Sequence, residues 1–138
     1  MNTHLHSLID DDYLRLTQVE MMLFWINQRV DFSKDVVAIV GDFNAKPNSE
    51  TYLLMLKEGY TSSYQHVHGH EPQFTFPSGL QAEHMDTDPP GTFDYIFLKG
   101  KSFSIKACEV LANKHLPEDS TIYGSDHFAV AADVQLQL

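Results

Sequence analysis

Residues 36–44 read Val36-Val37-Ala38-Ile39-Val40-Gly41-Asp42-Phe43-Asn44. The first five are β-branched or small apolar side chains in an unbroken run, which predicts a strand buried on both faces. Gly41-Asp42-Phe43-Asn44 follows at its C-terminal end, where a rigid strand aims polar groups into a crevice. A carboxylate and a carboxamide two residues apart can point together at a metal, a water or a phosphate oxygen. The same residues also suit a plain strand-end turn, because Gly, Asp and Asn are ordinary turn formers.

Working outward, Met1–His6 reads as the tail of a strand. Asp10–Val30 reads as a helix, with Leu16, Val19, Met22, Leu23, Ile26 and Val30 at helical spacing. Asp10, Asp11 and Asp12 stand at its positive end. Met21, Met22 and Trp25 are expected to be packing residues of that helix. Asn48 or Ser49 can cap a second helix that ends before Gly59. From Tyr60 to Pro90 the signals thin to turn residues and short aromatic pieces such as Phe74-Thr75-Phe76. Phe93–Leu98 then predicts a strand, Lys99-Gly100-Lys101 a tight turn, and Phe103–Leu111 its partner strand. Phe128–Leu136 alternates as a last strand. The pattern is α/β, a mixed layer with most strands after the second helix.

Asp94 is a lone carboxylate inside the aromatic strand Thr92-Phe93-Asp94-Tyr95-Ile96-Phe97. Burying it unpaired is costly, so it requires a partner, either a structural lysine or a functional histidine. Gly124-Ser125-Asp126-His127-Phe128 offers the histidine. Asp126 and His127 are adjacent on an extended segment and so address different neighbours. Asp126 can bind a hard cation through oxygen, while His127 can meet Asp94. A turn leading into an edge strand is the plainer reading of Ser-Asp-His.

Taken together and in this order, Gly41-Asp42-Phe43-Asn44, Asp94-Tyr95-Ile96-Phe97 and Ser125-Asp126-His127 resemble the closing motifs of the endonuclease/exonuclease/phosphatase superfamily. Asn2-Thr3-His4-Leu5 resembles that family's strand-borne segment, and Arg15 and Gln18 resemble the Arg-x-x-Gln that follows it. The resemblance implies a DNase-I-like four-layer α/β sandwich, of which this chain would be the C-terminal half, a mixed sheet with helices on its outer face. It implies that Asp42 orients and deprotonates a water and that Asn44 helps hold it. His4 and His127 would donate to phosphate oxygens, with Asp94 orienting His127. Asp126 and Asp42 would bind Mg²⁺ or Mn²⁺. The implied activity is metal-dependent phosphoester hydrolysis, by a nuclease or phosphatase acting on RNA or a nucleotide. The linkage Val110-Leu111, Leu116-Pro117, Gly124-Ser125-Asp126-His127 most resembles the carbon-catabolite-repressor deadenylase and nocturnin branch, hence a 3′-exonuclease. Gly124 departs from the proline of that branch.

The family's first half supplies a metal-binding glutamate and an asparagine, and this sequence starts after them. The expectation is therefore one domain, residues 1–138, truncated at its N-terminus. It would pair with the missing half or self-associate. The alternative function is a catalytically incomplete fragment acting as an interaction module.

Composition narrows the classes further. The net charge of −10 argues against a simple nucleic-acid-binding module, whose affinity would rest on a basic face. It argues less against a hydrolase that meets phosphate through a cation. The sequence has no apolar run long enough to span a bilayer. The single cysteine, Cys108, excludes an internal disulfide and suits a reducing, cytoplasmic location. His66-Val67-His68-Gly69-His70 could hold zinc or nickel but reads better as a solvated loop or edge. Asp86–Asp88 with Pro89-Pro90-Gly91 reads as a rigid, substrate-facing approach to the Asp94 strand.

Overall fold

The structure is a computed structural model that describes residues 1–8, 10–83 and 87–137. The expected Asp86–Asp88 loop lies partly outside the described residues, at Asp86. The chain runs β1 (Asn2–His4), α1 (Asp12–Asn27), β2 (Val36–Asp42), α2 (Glu50–Lys57), β3 (Thr61–Ser62), α3 (Ser63–His68), β4 (Asp94–Gly100), β5 (Phe103–Leu111) and β6 (Ala129–Leu136).

The apolar run at Val36 forms the heart of a four-stranded sheet ordered β1-β2-β4-β3. Strand β1 lies parallel to β2, while β4 is antiparallel to both β2 and β3. Ile39 is the strand's one fully buried side chain and its neighbours are part-buried, so β2 is covered less evenly than its composition predicts. One sheet face takes the two longer helices. Asp11 caps α1 by accepting the Leu14 N–H, and Ser49 caps α2 by accepting the Tyr52 N–H. From α1 come Val19, Met22, Leu23 and Ile26, and from α2 Tyr52 and Met55. They pack on Ile39, Phe43, Tyr95 and Phe97. Phe97 is 0% exposed, and cutting it to alanine would cost about 3–5 kcal/mol.

Met21 and Trp25 depart from expectation. They lie off the buried stripe of α1 and face solvent, where the Arg29 guanidinium sits 4.7 Å from the Trp25 ring centre. The His66–His70 segment is exposed but helical, since α3 runs through His68 to a left-handed cap at Gly69.

The expected pairing of Phe103–Leu111 with Phe93–Leu98 does not form. Both edges of β4 are already taken, by β2 and β3, so β5 pairs antiparallel with β6 in a separate two-stranded sheet. Gly100 turns the chain away at φ +147, where a Cβ would meet the Asp35 carbonyl at 2.5 Å. Helix α3 packs against β5, and His68 Nε2 lies 2.7 Å from the Cys108 carbonyl. Among the described residues, no helix is long and apolar enough to cross a membrane.

Candidate active site

The register of the first sheet sets three of the candidate side chains in a row. His4 on β1 pairs with Asp42 on β2, and Asp42 pairs with Asp94 on β4. Directly paired residues project from the same sheet face. His4 Nε2 lies 3.6 Å from Asp42 Oδ2, with the histidine side chain 69% exposed and the aspartate 15%.

Gly41 makes this row possible. Its φ is +132, and a Cβ there would lie 1.9 Å from the Thr3 carbonyl oxygen. Only glycine lets β1 approach β2 closely enough to bring His4 beside Asp42. Past the strand, Asn44 takes a left-handed φ of 47°, which asparagine tolerates. Its backbone N–H donates to Asp42 Oδ1 at 2.7 Å and its Nδ2 to the Leu5 carbonyl at 2.9 Å.

Helix α1 holds the segment that follows His4. Arg15, 2% exposed, donates to the carbonyls of His6 at 3.1 Å and Leu8 at 2.6 Å, and pairs with Asp12. Gln18 accepts the His6 N–H at 2.9 Å. Residues three apart share a helix face, so both side chains reach the same stretch of chain.

His127 arrives on the segment before β6 and reaches across to the row. Its Nδ1 is 2.7 Å from Asp94 Oδ2 and its Nε2 is 3.8 Å from Asp42 Oδ2. The Phe76 ring lies against the imidazole, with centres 4.9 Å apart. Ser125 accepts the His127 N–H at 3.1 Å and donates to Asp126 at 3.1 Å, fixing this turn. The hydrogen bond to Asp94 raises the His127 imidazole above its usual value; burial opposes this, and the nearby carboxylate charges add to it. Burial raises the Asp42 carboxyl; the Asn44 N–H pulls it back and the Asp94 charge pushes it further up.

His4, Asp42, Asn44, Asp94, Asp126 and His127 therefore line one cleft of about 550 Å³. Thr75 is the neighbour that sequence reasoning passed over: its hydroxyl donates to Asp94 Oδ2 at 2.6 Å. The only available signal was a polar residue between two phenylalanines.

Asp42, Asp94 and His127 offer ligand atoms within 4.8 Å of one another, the one such group of acidic, histidine or cysteine side chains among the described residues. Asp126 stands outside that trio but on the same cleft. Two carboxylates on directly paired residues repel each other, and a cation would relieve them. Three carboxylates and the Asn44 carboxamide are hard oxygen donors, which fits a Mg²⁺-like ion that keeps part of its water.

A sequence profile of the Endonuclease/Exonuclease/phosphatase family matches residues 9–127. A comparison with curated proteins finds no match. Among solved structures, the human nocturnin catalytic domain with bound sulfate anion superposes with a TM-score of 0.76 at 22% identity, over 99% of this chain and 46% of that one. TDP2 of D. rerio, complexed with single strand DNA product, gives 0.74 at 17% identity, over 98% and 55%. A mannosyl-6-phosphatase of Bacteroides thetaiotaomicron gives 0.72 at 19% identity, over 98% and 50%. At these identities the likeness is one of fold, and the chain spans about half the length of the solved chains it matches.

Proposed function

The chain belongs to the endonuclease/exonuclease/phosphatase family, and on that premise we propose that it hydrolyses a phosphoester by metal-assisted attack of water on phosphorus. The observation that carries this reading is the cross-strand row His4–Asp42–Asp94, with His127 spanning the two carboxylates.

Asp42 takes the proton of the attacking water; its burial beside Asp94 raises its affinity for that proton. Asn44, tethered to Asp42 and Leu5, steadies the water or an oxygen on phosphorus. His4 and His127 donate N–H groups to the non-bridging oxygens, where negative charge builds in the transition state. Asp94 engages His127 Nδ1 and leaves Nε2 for the phosphate. Asp126 and Asp42 would hold the divalent cation, which when bound would supply a Lewis acid and a charge sink.

The narrower reading is a nuclease of the deadenylase type. The spacing of Leu116-Pro117 from Ser125-Asp126-His127 and the fold shared with human nocturnin support it. The test is turnover of bis-p-nitrophenyl phosphate and of 5′-labelled poly(A) with Mg²⁺ or Mn²⁺. Metal-dependent turnover that Asp42→Ala and His127→Ala abolish is expected, with poly(A) shortened from its 3′ end. A folded chain without turnover in either cation would overturn the hydrolase reading in favour of an interaction module.

A further inference from the structure

We propose that Thr75 is a positioning residue that fixes both the Asp94 carboxylate and the ring orientation of His127. For its activity arm the inference rests on the hydrolase reading above; its structural arm does not.

Thr75 is 0% exposed, so its hydroxyl must find every partner within the protein. A hydroxyl carries one proton and two lone pairs. The Phe93 N–H donates to Thr75 Oγ1 at 3.1 Å and the Asp94 N–H at 3.3 Å. With both lone pairs engaged, the proton points to the remaining polar neighbour, Asp94 Oδ2, at 2.6 Å. Asp94 Oδ2 also faces His127 Nδ1 at 2.7 Å. Thr75 thus pins the oxygen on which His127 is oriented: Nδ1–H faces Asp94 in the neutral ring, and in the imidazolium that donates to phosphate the second proton sits on Nε2. That leaves Nε2 toward the cleft and Asp42.

The backbone of Thr75 does a related job. Its N–H donates to the Gly91 carbonyl at 2.9 Å, just ahead of β4. Its carbonyl accepts the Phe128 N–H at 2.7 Å, next to His127. One residue therefore ties together two segments whose functional side chains lie 33 positions apart. Its neighbour Phe76 supplies the wall against the His127 ring. Serine keeps the hydroxyl; valine keeps the shape and removes it.

The experiment compares the parent, Thr75→Ser and Thr75→Val by side-chain ¹⁵N NMR of His127, with the ring neutral and no cation added, and by steady-state kinetics. The parent and Thr75→Ser are expected to show the Nδ1–H tautomer, and Thr75→Val a mixture. Turnover should fall roughly 10–100-fold in Thr75→Val with KM little changed, and Thr75→Ser should recover most of it. A single Nδ1–H tautomer with parental turnover in Thr75→Val would overturn the proposal. So would equal impairment of the serine variant, which would assign the effect to the methyl group. If Thr75→Val does not fold, the parent alone decides. A slowly exchanging Thr75 hydroxyl proton close to His127 Hδ1 supports the proposal, and a rapidly exchanging one refutes it. If the parent shows no hydrolysis, the hydrolase reading falls, while the tautomer still decides the role of Thr75.

Discussion

Asp42 and Asp94 are directly paired residues of antiparallel neighbours β2 and β4, and the His127 ring reaches both, 2.7 Å from Asp94 and 3.8 Å from Asp42. Two carboxylates side by side in a part-buried cleft repel, and this repulsion adds to the burial that raises the Asp42 carboxyl. Asp42→Asn keeps the acceptor for the Asn44 N–H and removes one charge. It should raise unfolding free energy by about 0.5–2 kcal/mol, measured by urea denaturation at neutral pH. The same variant should lose at least about 100-fold in turnover.

The pH dependence follows from two raised groups. His127 is raised above 6.5 in the folded chain, so its contribution to stability is complete below about that pH and is lost as pH rises through the folded value. Asp42 is raised above 3.8, so the folded state binds its proton more tightly. Its ionisation therefore weakens the fold as pH climbs past that value. Urea midpoints should fall across both windows in the parent, and the upper fall should be missing in His127→Gln. Turnover should trace a bell, with its acid limb set by Asp42 and its alkaline limb by His127.

Gly41→Ala would place a methyl 1.9 Å from the Thr3 carbonyl, at a φ of +132 that L-residues avoid. The strand carrying His4 must then move away from β2. The expected cost is roughly 1–3 kcal/mol of stability, read by denaturation, with turnover falling further than stability accounts for.

Arg15→Met removes the donors that hold the His6 and Leu8 carbonyls. It should cost roughly 1–3 kcal/mol. Amide exchange should quicken at residues 6–8 and stay slow across the β2–β4 pairing, which hydrogen-exchange NMR would resolve.

The elements legible in the sequence are those whose signal is local. The Val36 run, the stripe of α1 and the Ser49 cap each state their structure within a few residues. The pairing of β5 was not legible, because alternation along a strand names its faces and not its partner. That choice was made by β2 and β3 occupying both edges of β4. Strand β3 has two residues and α3 has six, too short for periodicity to show. Trp25 and Met21 were misread because large apolar side chains on a helix suggest packing, whereas their angular position puts them in solvent. At the cleft, Gly41-Asp42-Phe43-Asn44 and Ser125-Asp126-His127 stand out because polar residues cluster at the ends of apolar strands. Thr75 does not, since its hydroxyl bond to Asp94 and its backbone bonds to Gly91 and Phe128 all reach residues far off in the sequence.

The proposed hydrolysis directs water onto phosphorus in this cleft, so solvent oxygen must enter the product. Hydrolysis of a phosphodiester in ¹⁸O-enriched water with Mg²⁺ or Mn²⁺, followed by ³¹P NMR of the product, tests it most directly. Each product phosphate should carry one ¹⁸O, and Asp42→Asn should form it at least about 100-fold more slowly. Product phosphate without label, or labelled product formed equally fast by Asp42→Asn, would contradict it.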